Sequence, residues 1–154
     1  MLEDKLNESL ERHARDNLGT NHGPEYVLYN LPTADSLIEA LELNFSQIRT
    51  SRTSPRPAEA WDIRTVFVEE PDDRLLNAAQ SWFFGSQYSS DVSPSTAADE
   101  VLDFVINLRN FVGDVPMFEV KVTPPQEMWY GCCWEDFAFD GKTQRWLLHL
   151  GFSD

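Results

Sequence analysis

The chain has 154 residues, of which 26 are acidic and 12 are basic, so its formal net charge is −14. This charge argues against binding to nucleic acid or to an anionic membrane, because both are negatively charged themselves. The negative charge is consistent with two interpretations: it attracts a basic protein partner, or it serves only to keep the protein soluble. The length fits one domain with a sizeable core, and we expect a single α+β domain over residues 1–154.

The N-terminal residues, MLEDKLNESLERH, are charged and do not resemble a signal peptide. No apolar run approaches the ~20 residues that a membrane-spanning helix needs. These two observations lead us to expect a cytoplasmic protein that makes no membrane contact.

The first predicted element is a helix over residues 2–18, in which leucines recur every four residues from position 2. Its apolar stripe is narrow, so we expect the helix on the outside of the domain, with His13 exposed. A short strand over 25–31 follows.

A second helix is predicted to begin with Thr33 as its N-cap and to end near Ile48. The next segment, 49–57, is basic and rich in Ser, Thr and Pro, which indicates a surface loop. Its three arginines are the candidate for a nucleic-acid contact, but they lack aromatic neighbours and lie in an acidic chain. They are Arg49, Arg52 and Arg56.

Four further elements precede the C-terminal region. They are a strand over 62–70, a helix over 72–84, a helix from a Thr96–Asp99 capping pair to about Val112, and a strand over 115–123. With a C-terminal hairpin the order is α-β-α-β-α-α-β-β-β. This order predicts an α+β fold in which helices cover one face of a mainly antiparallel sheet. It leaves open whether two strands of the first half pair in parallel within that sheet.

The C-terminal region predicts a β-hairpin, because Asp140-Gly141 separates two aromatic-rich runs and Asp-Gly favours a two-residue type I′ turn. We expect strands over about 128–139 and 143–152. The register then places Cys132 opposite His149. It also places Glu135 on the core face, where a bulge would relieve the burial of its charge.

Side chains alternate between the two faces of a strand, which divides the last strand into two sets. We assign one set to the core and the other to the opposite face. The core set is Trp146, Leu148, Leu150 and Phe152, and the other is Arg145, Leu147 and His149.

Cys132 and Cys133 are adjacent and should point to opposite faces, so we expect two buried, reduced thiols without a disulfide. No Cys-x-x-Cys or matching His pair predicts a metal site. A Cys132–His149 pair has the components of a thiolate nucleophile, but nothing marks an oxyanion hole or an orienting acid. No catalytic or cofactor motif is recognised, so we expect neither an enzyme nor a cofactor.

Acidic residues are concentrated at a strand-to-helix junction and near the hairpin tip, where aromatics accompany them. Charges of this kind steer a basic partner, and exposed aromatics anchor it. We therefore select seven residues as the partner-binding surface. They are Glu69, Glu70, Asp72, Asp73, Trp134, Asp136 and Asp140.

The late segments WEDFAFDG and WLLHLGFSD, in an acidic α+β chain without a catalytic motif, resemble bacterial immunity proteins. Those proteins neutralise toxins of interbacterial competition, such as contact-dependent inhibition systems. The resemblance is one of composition over the whole chain and assigns no residue. It implies an inhibitor of a basic toxin domain, often a nuclease. The alternatives are a non-catalytic adaptor or structural module of a bacterial cytoplasmic protein, and a small enzyme that uses the Cys132 and His149 region.

Overall fold

The computed structural model describes residues 1–19, 23–48, 61–89, 91–125 and 130–153. Within them, five strands form one sheet in the order β1-β5-β4-β3-β2, and all neighbouring strands are antiparallel. The strands are β1 (Gly23–Asn30), β2 (Asp62–Phe67), β3 (Met117–Thr123), β4 (Cys133–Asp140) and β5 (Arg145–Ser153). The predicted α+β class and element order are confirmed, whereas the parallel pair is not formed among these strands.

The helices of the described residues are α1 (Leu2–Asp16), α2 (Leu37–Ser46), α3 (Pro71–Phe84) and α4 (Pro94–Val112), with a short 3-10 helix at Gln87–Ser89. Three of them, α1, α3 and α4, pack on one side of the sheet, which we call face A. The fourth, α2, packs on the other side, face B. The expectation that helices cover one face is therefore wrong. No helix in the described parts of the chain is long and apolar enough to cross a membrane.

Two helices begin a few residues away from their predicted starts, because in each case a serine caps the helix in place of the predicted residue. Ser36, not Thr33, precedes α2, and its side chain accepts the backbone N–H three residues later at 3.2 Å. For α4 the cap is Ser93, not the Thr96–Asp99 pair. The Ser93 hydroxyl accepts the Thr96 N–H at 3.3 Å.

The C-terminal hairpin is present, but its turn is longer than predicted. Asp140 pairs with Arg145, so residues 141–144 form the loop and the register is shifted by four residues. Gly113 is the residue with positive φ among those described, so Asp140-Gly141 does not form the type I′ turn. The reason is that Asp140 belongs to the strand: its carboxylate accepts Arg145 Nε at 2.6 Å, and its N–H donates to Pro116 O at 2.9 Å.

A shift of four residues is even, so it keeps each side chain on its predicted face. Trp146, Leu148 and Leu150 are buried on face A, as predicted. Leu147 and His149 point to face B, where they are also buried because α2, together with residues such as Leu31, Trp61 and Tyr130, covers that side of the sheet.

The first helix is more deeply packed than its narrow stripe suggested. Leu6, Leu10 and His13 are all buried against face A. The predicted exposure of His13 is wrong, because its ring stacks on Phe83 of α3 with ring centroids 4.0 Å apart.

Candidate functional site

A cluster of three polar side chains lies inside the protein between β4 and β5. Asp136 and His149 are register partners, and His149 Nδ1 lies 2.6 Å from Asp136 Oδ1. Tyr130, which precedes β4, donates its hydroxyl to Asp136 Oδ2 at 2.7 Å. Asp136 is fully buried, so these donors replace the water that its carboxylate would otherwise bind.

Aromatic rings enclose this cluster around Tyr130. The ring centroids of Phe45, Trp61 and Trp134 lie 5.6, 6.0 and 4.9 Å from that of Tyr130. Burial, followed by the charge of Asp136, raises the pKa of the Tyr130 hydroxyl. The hydroxyl therefore keeps its proton and remains a donor to Asp136.

Gly151 leaves the space that the His149 ring occupies. A Cβ atom at this position would lie 2.9 Å from His149 Nε2. Residues two apart on a strand share a face, so any side chain at Gly151 would push against the imidazole. The glycine is thus part of what orients His149 toward Asp136.

The two cysteines do not join this cluster. Cys132 and Cys133 are free and exposed, so the expectation of two buried thiols is wrong. His149 faces Asp136 in the register rather than Cys132, whose N–H instead donates to Phe152 O at 2.9 Å. The Cys132–His149 pairing on which the enzyme alternative depends is therefore not formed. Among the described residues, no three His, Cys, Asp or Glu side chains are grouped so as to hold a metal ion.

Glu135 lies on face A as predicted, and partners from α3 neutralise it. Trp82 Nε1 donates to Glu135 Oε1 at 2.8 Å, and the Arg74 guanidinium binds its other oxygen. Arg74 also lies over the Phe137 ring, 4.9 Å from the centroid. Pairing of β4 with β5 continues through Glu135, so the charge is accommodated without the bulge that would have relieved its burial.

The predicted acidic junction lies at the surface between β2 and α3. Glu69, Glu70, Asp72 and Asp73 are all exposed. Asp72 and Asp73 occupy the first turn of α3, where the helix dipole favours negative charge, and Asp72 pairs with Arg109 at 3.0 Å. Glu70 is the N-cap residue but makes no side-chain capping bond. Helix stability therefore accounts for two of these carboxylates and leaves Glu69 and Glu70 unexplained.

Exposed apolar side chains adjoin these acids at the end of β2. Val66 is 52% exposed and Phe67 is 58% exposed, and the Phe67 ring contacts Phe118 with centroids 5.7 Å apart. Neighbouring strand residues point to opposite faces, so Val66 lies on the face A side of this edge and Phe67 on the face B side. We name residues 66, 67, 69, 70, 72 and 73, which lie along the edge of the sheet and the start of α3, the acidic–apolar surface. Sequence reasoning missed Phe67. The signal was present, because three successive apolar residues in a strand place apolar side chains on both faces.

The selected hairpin residues do not extend this surface as expected. Asp136 is fully buried, so its selection as a partner contact is wrong, and its neighbours Phe137 and Phe139 are buried too. Asp140 lies at the same end of the sheet as Glu69, but its carboxylate is paired with Arg145. Trp134 is half-buried against Tyr130.

Comparison of the chain with protein-family models, with curated proteins and with solved structures found no match. The basic segment 49–57 lies outside the described residues. The polar cluster and the acidic–apolar surface are therefore the two features of the described residues that bear on function.

Proposed function

We propose that the protein is an immunity-type inhibitor that binds a basic toxin domain through the acidic–apolar surface. The observation that carries the proposal is a run of eight residues, 66–73, with two exposed apolar side chains and four exposed carboxylates. Apolar side chains anchor a partner, and surrounding charges set the rate and specificity of its approach.

The charge of the whole chain supports the same partner chemistry. A formal net charge of −14 creates a field that attracts a positively charged protein and repels nucleic acid. The polar cluster at Asp136 has a structural explanation, since each of its three side chains is used to hold the others. In the acidic–apolar surface, helix stability accounts for Asp72 and Asp73, whereas the carboxylates of Glu69 and Glu70 have no such use among the described residues.

A pull-down from the native host, read by mass spectrometry, tests the proposal. The bait is the wild-type protein or a junction variant in which Glu69 and Glu70 become Gln and Asp72 and Asp73 become Asn. A control variant carries the same charge change on α1, with Asp4 and Asp16 changed to Asn and Glu8 and Glu11 changed to Gln. The four substituted acids are exposed, and α1 lies beside β1, at the opposite edge of the sheet. We expect a basic protein that wild type and control retain and the junction variant loses.

Growth of cells that express the captured protein then separates an inhibitor from an adaptor. An immunity function predicts that expression of the captured domain arrests growth and that co-expression of this protein restores it. A captured partner that is harmless on its own would favour the adaptor function and contradict the immunity function.

A further inference from the structure

The backbone groups at the two edges of the sheet, β1 and β2, are blocked to different extents. At the β1 edge, the side chain of Asn7 on α1 accepts the Leu28 N–H at 3.0 Å and donates to Leu28 O at 3.1 Å. At the other edge, β2 has no strand beyond it among the described residues. Five of its six residues are exposed and the sixth is half-buried. Natural proteins protect sheet edges, because unpaired strand edges bind other strands.

The hydrogen bonds of β3 show which backbone groups of β2 point outward. Val68 N–H donates to Met117 O at 3.0 Å, and in an antiparallel pair the bonded residues alternate along the strand. Val66 and Arg64 therefore bond β3, while the N–H and C=O groups of Ile63, Thr65 and Phe67 point away from the sheet.

At the β1 edge, the same alternation identifies the backbone groups that point outward. Leu31 N–H donates to Arg145 O at 2.8 Å, so alternation makes Leu28 and Pro24 outward-pointing residues. Leu28 is the residue whose backbone Asn7 binds. Proline has no N–H to offer. The β1 edge is thus blocked at two outward positions.

We infer that β2 receives an extended segment of a protein partner as a sixth, antiparallel strand of the sheet. The outward-pointing residues Ile63, Thr65 and Phe67 share face B, so apolar side chains at alternate positions of the segment would contact Ile63 and Phe67. The inference rests on the proposed function for the nature of the partner.

Charge determines which segment fits this edge. Glu69 and Glu70 come shortly after β2, separated from Phe67 by Val68, so in an antiparallel pairing they lie beside the N-terminal end of the added segment. Lys or Arg at that end of the segment would face them. A second copy of this chain is a poorer occupant, because two molecules of net charge −14 repel each other.

A synthetic peptide tests strand addition without the natural partner. The peptide has blocked ends and two lysines followed by alternating valine and threonine, and its control has prolines in place of the two central residues. On peptide binding, we expect slower hydrogen exchange at the amides of Ile63, Thr65 and Phe67. Arg64 and Val66 should change little, because their N–H groups already bond β3. The proline peptide should bind at least about tenfold more weakly.

Two protein variants provide an independent readout. Thr65→Pro removes an outward N–H and no bond to β3, so it should weaken peptide binding about tenfold or more. Thr65→Val keeps the N–H and should bind like wild type. Backbone spectra of both variants check that the fold is intact, and the exchange measurement on wild type does not depend on either variant.

Each failure has its own signature. Strand addition would be overturned if Thr65→Pro and Thr65→Val bind the peptide equally well. It would also be overturned if the peptide binds without protecting the three amides, or if no binding is detected up to about 1 mM peptide. Concentration-dependent protection of these amides without peptide would identify a second copy as the occupant and would also overturn it. The proposed function fails separately, through retention of the partner by the junction variant.

Discussion

At the scale of single residues, His13 shows how burial creates a dependence of stability on pH. It is 1% exposed, and neither ring nitrogen has a hydrogen-bond partner among the described residues. Burial, helped by the nearby Arg12 charge, lowers its pKa to about 4. Glu100 and Asp16 are the acids nearby, and the closest Glu100 oxygen is 4.0 Å from Nε2.

This lowered pKa predicts that the protein loses stability in mild acid. The unfolded chain protonates His13 near the ordinary histidine pKa of 6.5, whereas the folded chain does so only near 4. Stability is therefore complete above about pH 6.5 and falls as the pH drops to about 4, by of the order of 3 kcal/mol. Urea unfolding of wild type and His13→Leu at several pH values measures the difference. An identical pH dependence in both proteins would contradict the prediction.

Gly151 gives a second prediction at this scale. An alanine Cβ would press on His149 Nε2, so Gly151→Ala should destabilise the protein by roughly 1–3 kcal/mol. In a His149→Ala background the same change should cost less, because the obstructing ring is gone. Denaturant unfolding of the four proteins gives the coupling free energy. A coupling near zero would show that His149 does not need the space at Gly151.

At the scale of elements, local patterns predicted which helices and strands form but not where each begins. Leucine spacing and the Asp-Gly signal identified α1 and the hairpin, since both are properties of neighbouring residues. The ends depend on competition that the sequence does not resolve. Thr33 and Ser36 are both good capping residues. Asp140 belongs to β4 rather than to the turn, because Arg145 binds its carboxylate and Pro116 O accepts its N–H.

The N-terminus of α2 allows a matched test of the cap assignment. Ser36→Ala removes the acceptor of an N–H in the first turn and should lower the free energy of unfolding by about 1 kcal/mol. Thr33→Ala lies outside the helix and should change stability by less than about 0.5 kcal/mol. Thermal or denaturant unfolding measures both. A larger loss for Thr33→Ala would restore Thr33 as the cap.

At the scale of the whole molecule, the sequence predicted the exposure of the junction acids but neither the burial of Asp136 nor the exposure of Phe67. The four junction acids are exposed because they lie in the strand-to-helix turn and in the first turn of α3. The buried position of Asp136 depends on its long-range partner His149, which the predicted register had placed opposite Cys132. Phe67 is exposed because β2 is an edge strand. The local sequence pattern of a single strand does not predict its position in the sheet, so this exposure could not be predicted.

The distribution of charge leads to a prediction about association. An acidic surface that faces a basic partner raises the association rate at low salt, when the Debye length is ~30 Å, and loses this effect as the length drops to ~8 Å. Removing the four junction charges should lower the rate at low salt and flatten its salt dependence. Dissociation should depend more on apolar anchors such as Phe67.

The most direct measurement is the association rate with the captured partner as a function of salt, for wild type, the junction variant and the α1 control. The two variants carry the same net charge, so a difference between them reports the location of the charges. We predict a steep salt dependence for wild type and the control and a flatter one, with slower association, for the junction variant. The junction variant also loses the Asp72–Arg109 pair and the acids of the first turn of α3, so its melting temperature should fall slightly, and the rates are compared at a temperature where all three proteins are folded. If the junction variant and the α1 control behave alike, the acidic–apolar surface is not where the partner binds.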